Sequence, residues 1–241
     1  MDTLHPGLRR AGLAPLPGTS LSAPRTGMAA RLIEQLKLTK IPDEGCWFAL
    51  TYRSPDTVTG PALPARYRGV PHVGGSAIYT LETREDFSAM HRLQTDELWH
   101  YYRGDPLEML LLFPDGRGET QVLGPDVFQG QQPQIVVPRG TWQGSRPLRD
   151  SPDAYTFFGN TLAPGFEATD FEIGYRDELQ QAYPAFAALI AELTRAEFLT
   201  RRTAAAAPDP SPPERNPRAV AAPTAPMPAA PTPAKDSPTL R

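Results

Sequence analysis

The chain is short of cysteine, of positive charge and of long apolar runs, and each shortage excludes a class of function. Cys46 is the only cysteine in 241 residues, which excludes an intrachain disulfide and a zinc site built on several thiolates. Lys and Arg number 24 against 27 Asp and Glu, for a net charge of -3, so the basic excess expected of a nucleic-acid binder is missing. No apolar run approaches the roughly 20 residues that a spanning helix needs. No apolar core of a secretory leader sits near the start. The expectation is a soluble, cytoplasmic protein with neither nucleic acid nor membrane among its partners.

Aromatic residues and apolar periodicity are absent from the far end. Residues 203–241 hold eleven Pro and eleven Ala, and such a segment cannot bury enough surface to offset its ordering entropy. It reads as a disordered Pro/Ala-rich tail. Residues 1–27 carry Pro6, Pro15, Pro17 and Pro24 with Asp2 as the one acid, and they read as a disordered N-terminal extension. Met28 is a second candidate initiator. One domain over 28–202 remains.

Within it, Leu32, Ile33 and Leu36 fall at helical spacing and predict a short amphipathic helix over 28–38. Strand-like runs follow at 45–53, 75–82, 86–93, 97–103, 107–113, 119–123, 133–138, 141–146 and 154–162, with turn chemistry such as Pro114-Asp115-Gly116 between them. Helical character returns at 176–183 and 185–198, interrupted at Pro184. Many short antiparallel strands without intervening helices predict an all-β sandwich or barrel.

The polar residues that stand out are His91 and Glu97, six apart in an apolar and aromatic setting, with Gly104 seven residues after the Glu. Alternation along a strand groups Glu97, Trp99 and Tyr101 on one face and Leu98, His100 and Tyr102 on the other. Antiparallel pairing of 86–93 with 97–103 would bring Glu97 in beside His91. Imidazole, carboxylate and rings together make the kind of interior that holds a small polar molecule.

These residues resemble the cupin superfamily. His91-x-Leu93, three residues, Glu97, six residues and Gly104 keep the spacing of its first motif, and Pro138-Arg139-Gly140-Thr141-Trp142-Gln143 keeps that of its second. Leu93 and Gln143 stand where metal-binding cupins have His. The closest likeness is to the largely uncharacterised cupin-5 branch. It rests on Asp96-Glu97-Leu98-Trp99-His100, Gly104-Asp105-Pro106-Leu107-Glu108, Pro133 to Pro138, Gly140 to Gln143, Ala163-Pro164-Gly165-Phe166 and Asp170-Phe171-Glu172. Near the start, Pro42-Asp43-Glu44-Gly45-Cys46-Trp47 keeps the branch's Glu but replaces its second Gly and its Tyr. The resemblance implies a double-stranded β-helix, the cupin jelly roll, and a homodimer.

The resemblance leaves three functions open. Sugar epimerases of this fold work without metal, and by analogy His91 is the base, Glu97 orients it, and Tyr79 or Tyr101 is the acid. A non-catalytic binding or sensing module would instead hold its small-molecule ligand through Glu44, Trp99, His100, Gln134, Trp142 and Gln143. A metalloenzyme would have only His91 and Glu97 as firm ligands, because Leu93 cannot ligate and Gln143 is a weak neutral substitute. No metal or other cofactor is expected. Asp170 and Glu172 are expected at the surface.

Overall fold

The computed structural model describes residues 27–201; of the expected disordered segments, residues 1–26 and 203–241 lie outside them, and Gly27 caps the first helix. The chain opens with α1 (Met28–Leu36), whose half-buried Leu32, Ile33 and Leu36 face inward as their spacing predicts. The helix stops at Leu36, two residues before the predicted stretch does, because Lys37 takes a left-handed conformation that turns Leu38 into the core. The strands are β1 (Thr39–Lys40), β2 (Trp47–Arg53), β3 (Thr57–Val58), β4 (His72–Val73), β5 (Ser76–Thr83), β6 (Ser88–Arg92), β7 (Glu97–Gly104), β8 (Leu107–Leu112), β9 (Gly118–Leu123), β10 (Gln134–Val137), β11 (Trp142–Pro147), β12 (Tyr155–Leu162) and β13 (Glu172–Ile173). Two helices, α2 (Arg176–Ala182) and α3 (Ala187–Glu192), follow, and Pro184 starts the single 3-10 turn that joins them.

The strands form two antiparallel sheets facing each other, with β3 and β4 pairing apart from them. One sheet runs β1-β2-β5-β12-β7-β10 and the other β13-β6-β11-β8-β9. This is the jelly roll that the resemblance implies. All nine predicted strands are present, and the four that prediction misses (β1, β3, β4 and β13) are two residues long, too short to show a period.

Two apolar layers hold the sheets. Between them lie Trp99, Leu107, Met109, Leu111, Leu123, Ile135, Val137 and Phe158. The indole of Trp99 stacks on Phe158 at 4.7 Å between ring centres. Behind the five-stranded sheet, Met90, Leu110 and Leu112 pack under Leu179, Tyr183, Ile190 and Leu193 of the C-terminal segment. Strand β8 is therefore covered on both faces, which is why its sequence is almost continuously apolar. Gly104 ends β7 at a positive φ of 107°, and a Cβ there would stand 2.3 Å from the Tyr155 carbonyl oxygen. The glycine of the first motif is thus a backbone requirement at the tight turn into β8.

Candidate functional site

His91 lies on β6 and Gln143 directly opposite it on β11, both facing the interior. Glu97 opens β7 in the other sheet, paired with Leu162 and Val137. Strands β6 and β7 are consecutive but belong to different sheets, so the pairing expected between them does not form. The imidazole and the carboxylate approach across the barrel rather than along one sheet. All three side chains are buried, with 3 % exposure for His91, 6 % for Glu97 and 1 % for Gln143.

The contacts differ from a direct His–Glu pair. The Gln143 amide Nε2 donates to Glu97 Oε2 at 2.5 Å and lies 3.2 Å from His91 Nε2. His91 Nδ1 lies 2.8 Å from the Ala89 carbonyl oxygen, which can only accept. Nδ1 therefore carries the proton, and Nε2 presents a lone pair to the amide. Orientation of the ring, expected from Glu97, comes from Ala89, with Phe171 stacked on its face at 5.4 Å.

More polar side chains line the same half of the barrel. Glu44, 8 % exposed, accepts from Ser88 Oγ at 2.7 Å and from the Cys46 thiol at 3.1 Å. Glu82 is fully buried and accepts from Ser145 Oγ at 2.7 Å. Thr80 Oγ1 donates to Asn160 Oδ1 at 2.7 Å. Burial lifts the Glu97 carboxyl from the ordinary 4.5 to about 7; negative Glu44 adds to the rise, while His91, Gln143 and Trp99 oppose it. Burial also raises Glu82 well above the carboxylate range, against the pull of Ser145 and the Ser88 backbone N–H. The Cys46 thiol is raised by burial and by Glu44 and Glu82. Among the described residues, four buried side-chain polar atoms make no hydrogen bond: Gln143 Oε1, Trp99 Nε1, Glu82 Oε2 and Thr141 Oγ1. Trp99 Nε1 eases the charge on Glu97 from nearby but does not bond to it.

Several expected site residues lie elsewhere. Tyr79 is on the outer face of the six-stranded sheet, in ring contact with Tyr102 and Phe157, because Thr80 and Glu82 take the inward positions of β5. His100 and Gln134 share that outer face and bond to each other at 3.1 Å, with His100 Nε2 also 3.2 Å from Thr161 Oγ1. Trp142 packs behind the five-stranded sheet, with Arg92 over its ring at 4.4 Å. Tyr101 does point inward, but into the apolar half, where its hydroxyl donates to the Gly104 carbonyl at 2.5 Å. Neither tyrosine is placed to act as acid for His91. Of the expected set, Glu44, His91, Glu97, Trp99 and Gln143 are brought together.

A second buried pair was not anticipated. His72 Nε2 lies 2.6 Å from Asp170 Oδ2, and its Nδ1 lies 2.8 Å from the Val70 carbonyl oxygen. Tyr67 tilts against the ring at 4.4 Å and bonds Thr95 Oγ1 at 2.9 Å. Asp170, expected at the surface, is 5 % exposed. Its 98-residue separation from His72 left no local signal. The pair anchors the segment that lays Phe171 on His91. Glu172 is half-exposed and bonds Arg92.

The donors present do not suit the metal that many cupins hold. Gln143 offers N–H groups to both His91 Nε2 and Glu97 Oε2, where a metal would need their lone pairs. Leu93 is a buried hydrocarbon. Among the described residues no group of three or more His, Cys, Asp or Glu side chains is arranged to hold a metal ion.

The family described as Cupin_5, cupin superfamily (DUF985), matches residues 30–174. A hypothetical protein of Leishmania major and a protein of Shewanella oneidensis solved by X-ray crystallography are both similar to this chain. Each is 30 % identical with a TM-score of 0.61, over 70 % of this chain and 99 % of its own. No curated protein matches. No helix among the described residues is long and apolar enough to cross a membrane.

Proposed function

The chain belongs to the Cupin_5 family of the cupin superfamily, and from that premise we propose that its barrel binds a small polar, carbohydrate-sized molecule beside His91, Gln143 and Glu97. The observation that carries this reading is the set of unpartnered buried atoms, Gln143 Oε1, Trp99 Nε1 and Glu82 Oε2. A buried polar group without a partner costs about 1–3 kcal/mol, and a bound hydroxylated molecule would recover that cost. Catalysis without metal is the second reading, favoured by the titration of Glu97 at about 7. A neutral His91 Nε2 accepts a proton, and a protonated Glu97 across the amide returns one. In this scheme Glu97 takes the acid role that Tyr79 and Tyr101 cannot fill.

The outer face of the six-stranded sheet carries Tyr52, Tyr102 and Val136, each about half exposed, and is the face through which we propose a homodimer forms.

Deuterium exchange separates binding from catalysis. The full chain is incubated with a panel of aldoses and ketoses in heavy water, while nuclear magnetic resonance follows both binding and the C–H next to the carbonyl. Isomerisation predicts label entering that carbon with wild-type protein and none with His91→Ala. Binding without label assigns a binding module. Neither binding nor label with any sugar of the panel refutes the reading.

A further inference from the structure

The polar half of the barrel is rich in hydrogen-bond acceptors. Three buried carboxyl groups, from Glu44, Glu82 and Glu97, share it, and the donors on them are neutral: Ser88, Cys46, Ser145 and Gln143. The cations nearby are committed to other groups. Lys40 bonds Asp86 and the Gly45 carbonyl. Arg195 bonds the carbonyls of Glu44 and Phe87, and its charge reaches Glu82 only from a distance. One acceptor atom inside, Gln143 Oε1, lacks a partner on a side chain that is 1 % exposed; Glu82 Oε2 also lacks one, but it belongs to a carboxyl that burial drives toward its protonated form, whose O–H donates. Trp99 Nε1 is a further unpartnered donor in the same region, so the excess of acceptors rests on Gln143 Oε1 and on the carboxylates of Glu44 and Glu97.

Resting on the reading of an interior ligand site, we infer that the ligand presents a protonated amine to this region, seated against Gln143 Oε1 and the Glu97 carboxylate. The chemistry discriminates among ligand classes. An ammonium carries three donors and a positive charge, which complements an acceptor-rich wall, whereas a hydroxyl donates a single hydrogen and brings no charge to set against the carboxylates. A carboxylate or phosphate would enter beside the Glu97 carboxylate while Lys40 and Arg195 are bonded to other groups, and like charges at short range in a dry interior repel strongly. A charge-assisted hydrogen bond to Glu97 is about twice as strong as a neutral one.

Serinol, glycerol and glycerate test this. Serinol and glycerol share one carbon frame and differ only in ammonium against hydroxyl at the central carbon; glycerate carries a carboxylate on a frame of the same length. The full chain is titrated with each at pH 8, where Glu97 is mostly ionised, and binding is followed by chemical-shift changes of the Trp99 indole N–H and the Gln143 side-chain amide. Serinol is expected to bind at least about tenfold tighter than glycerol, with glycerate not binding. Glu97→Gln, which keeps the shape of the side chain, is expected to bring the serinol-to-glycerol ratio toward one. If that variant does not fold, Glu44→Gln reads the same ratio. Glycerol or glycerate binding as well as serinol, or a ratio unmoved by the variants, overturns the amine assignment and leaves the interior site standing. No shift at Trp99 or Gln143 with any of the three overturns both.

Discussion

Replacing Glu97 by Gln should make the protein more stable at pH 8 and nearly unchanged at pH 4. The reason is a proton. Glu97 holds its proton up to about 7 in the folded barrel, against the ordinary 4.5. Between those values the folded state binds more protons than the unfolded chain, so stability falls as pH rises through this window. The full difference corresponds to about 3 kcal/mol of stability lost by pH 8. Gln cannot ionise, and its carbonyl oxygen can still accept from Gln143, so the variant escapes that loss. For a domain of this size the melting temperature of Glu97→Gln should gain about 6–12 °C on the wild type between about pH 4 and about pH 8. Intrinsic fluorescence reads the transition directly, because Trp99 sits in the same interior. The carboxylates of Asp115, Asp153 and Glu178, depressed by their Arg or Ser partners, act below the window and cancel in the comparison. Parallel melting profiles for the two proteins from pH 4 to pH 8 would refute the argument. So would a variant that is the less stable of the two at pH 8.

Two further outcomes follow from the packing. Asp170→Asn breaks the buried contact with His72 and should cost about 3–5 kcal/mol, with faster hydrogen exchange over residues 165–173; a loss under about 1 kcal/mol would mean the pair anchors nothing. Tyr102→Asp places a charge on the outer sheet face and should convert a dimer to a monomer in sedimentation, and a monomeric wild type at micromolar concentration would dismiss the proposed interface.

Much of the fold could be read before the structure, because its longer strands are separated by Gly- and Pro-rich turns and the helix stripe is regular. The site was legible only where side chains point into the barrel. Alternation along β5 says that Tyr79 and Thr80 face opposite ways, but not which one faces in, since both faces of that sheet carry aromatic or β-branched residues. Trp142 sits beside Gln143 on a strand covered on both sides, so burial alone could not tell interior from exterior. Glu82 finds Ser145 63 residues away, and Glu44 finds Ser88 44 away. Such partners meet only once two sheets have folded against each other, and neither composition nor spacing encodes them. The exchange of Glu97 for Ala89 as the group orienting His91 has the same origin: β6 and β7 part into different sheets after a turn that reads locally like a hairpin.

The Gln143 carboxamide between His91 and Glu97 has a consequence for how protons are stored. An amide is neither an acid nor a base in the neutral range, so it bonds to both groups without ferrying hydrogen between them. In a direct imidazole–carboxylate contact, a proton on one partner belongs in effect to both. Here the two accounts stay separate. The barrel can hold a protonated Glu97 carboxyl and the acceptor nitrogen of His91 side by side, a donor and an acceptor that do not quench each other. A proton leaving Glu97 for His91 has to travel through whatever molecule lies against them both.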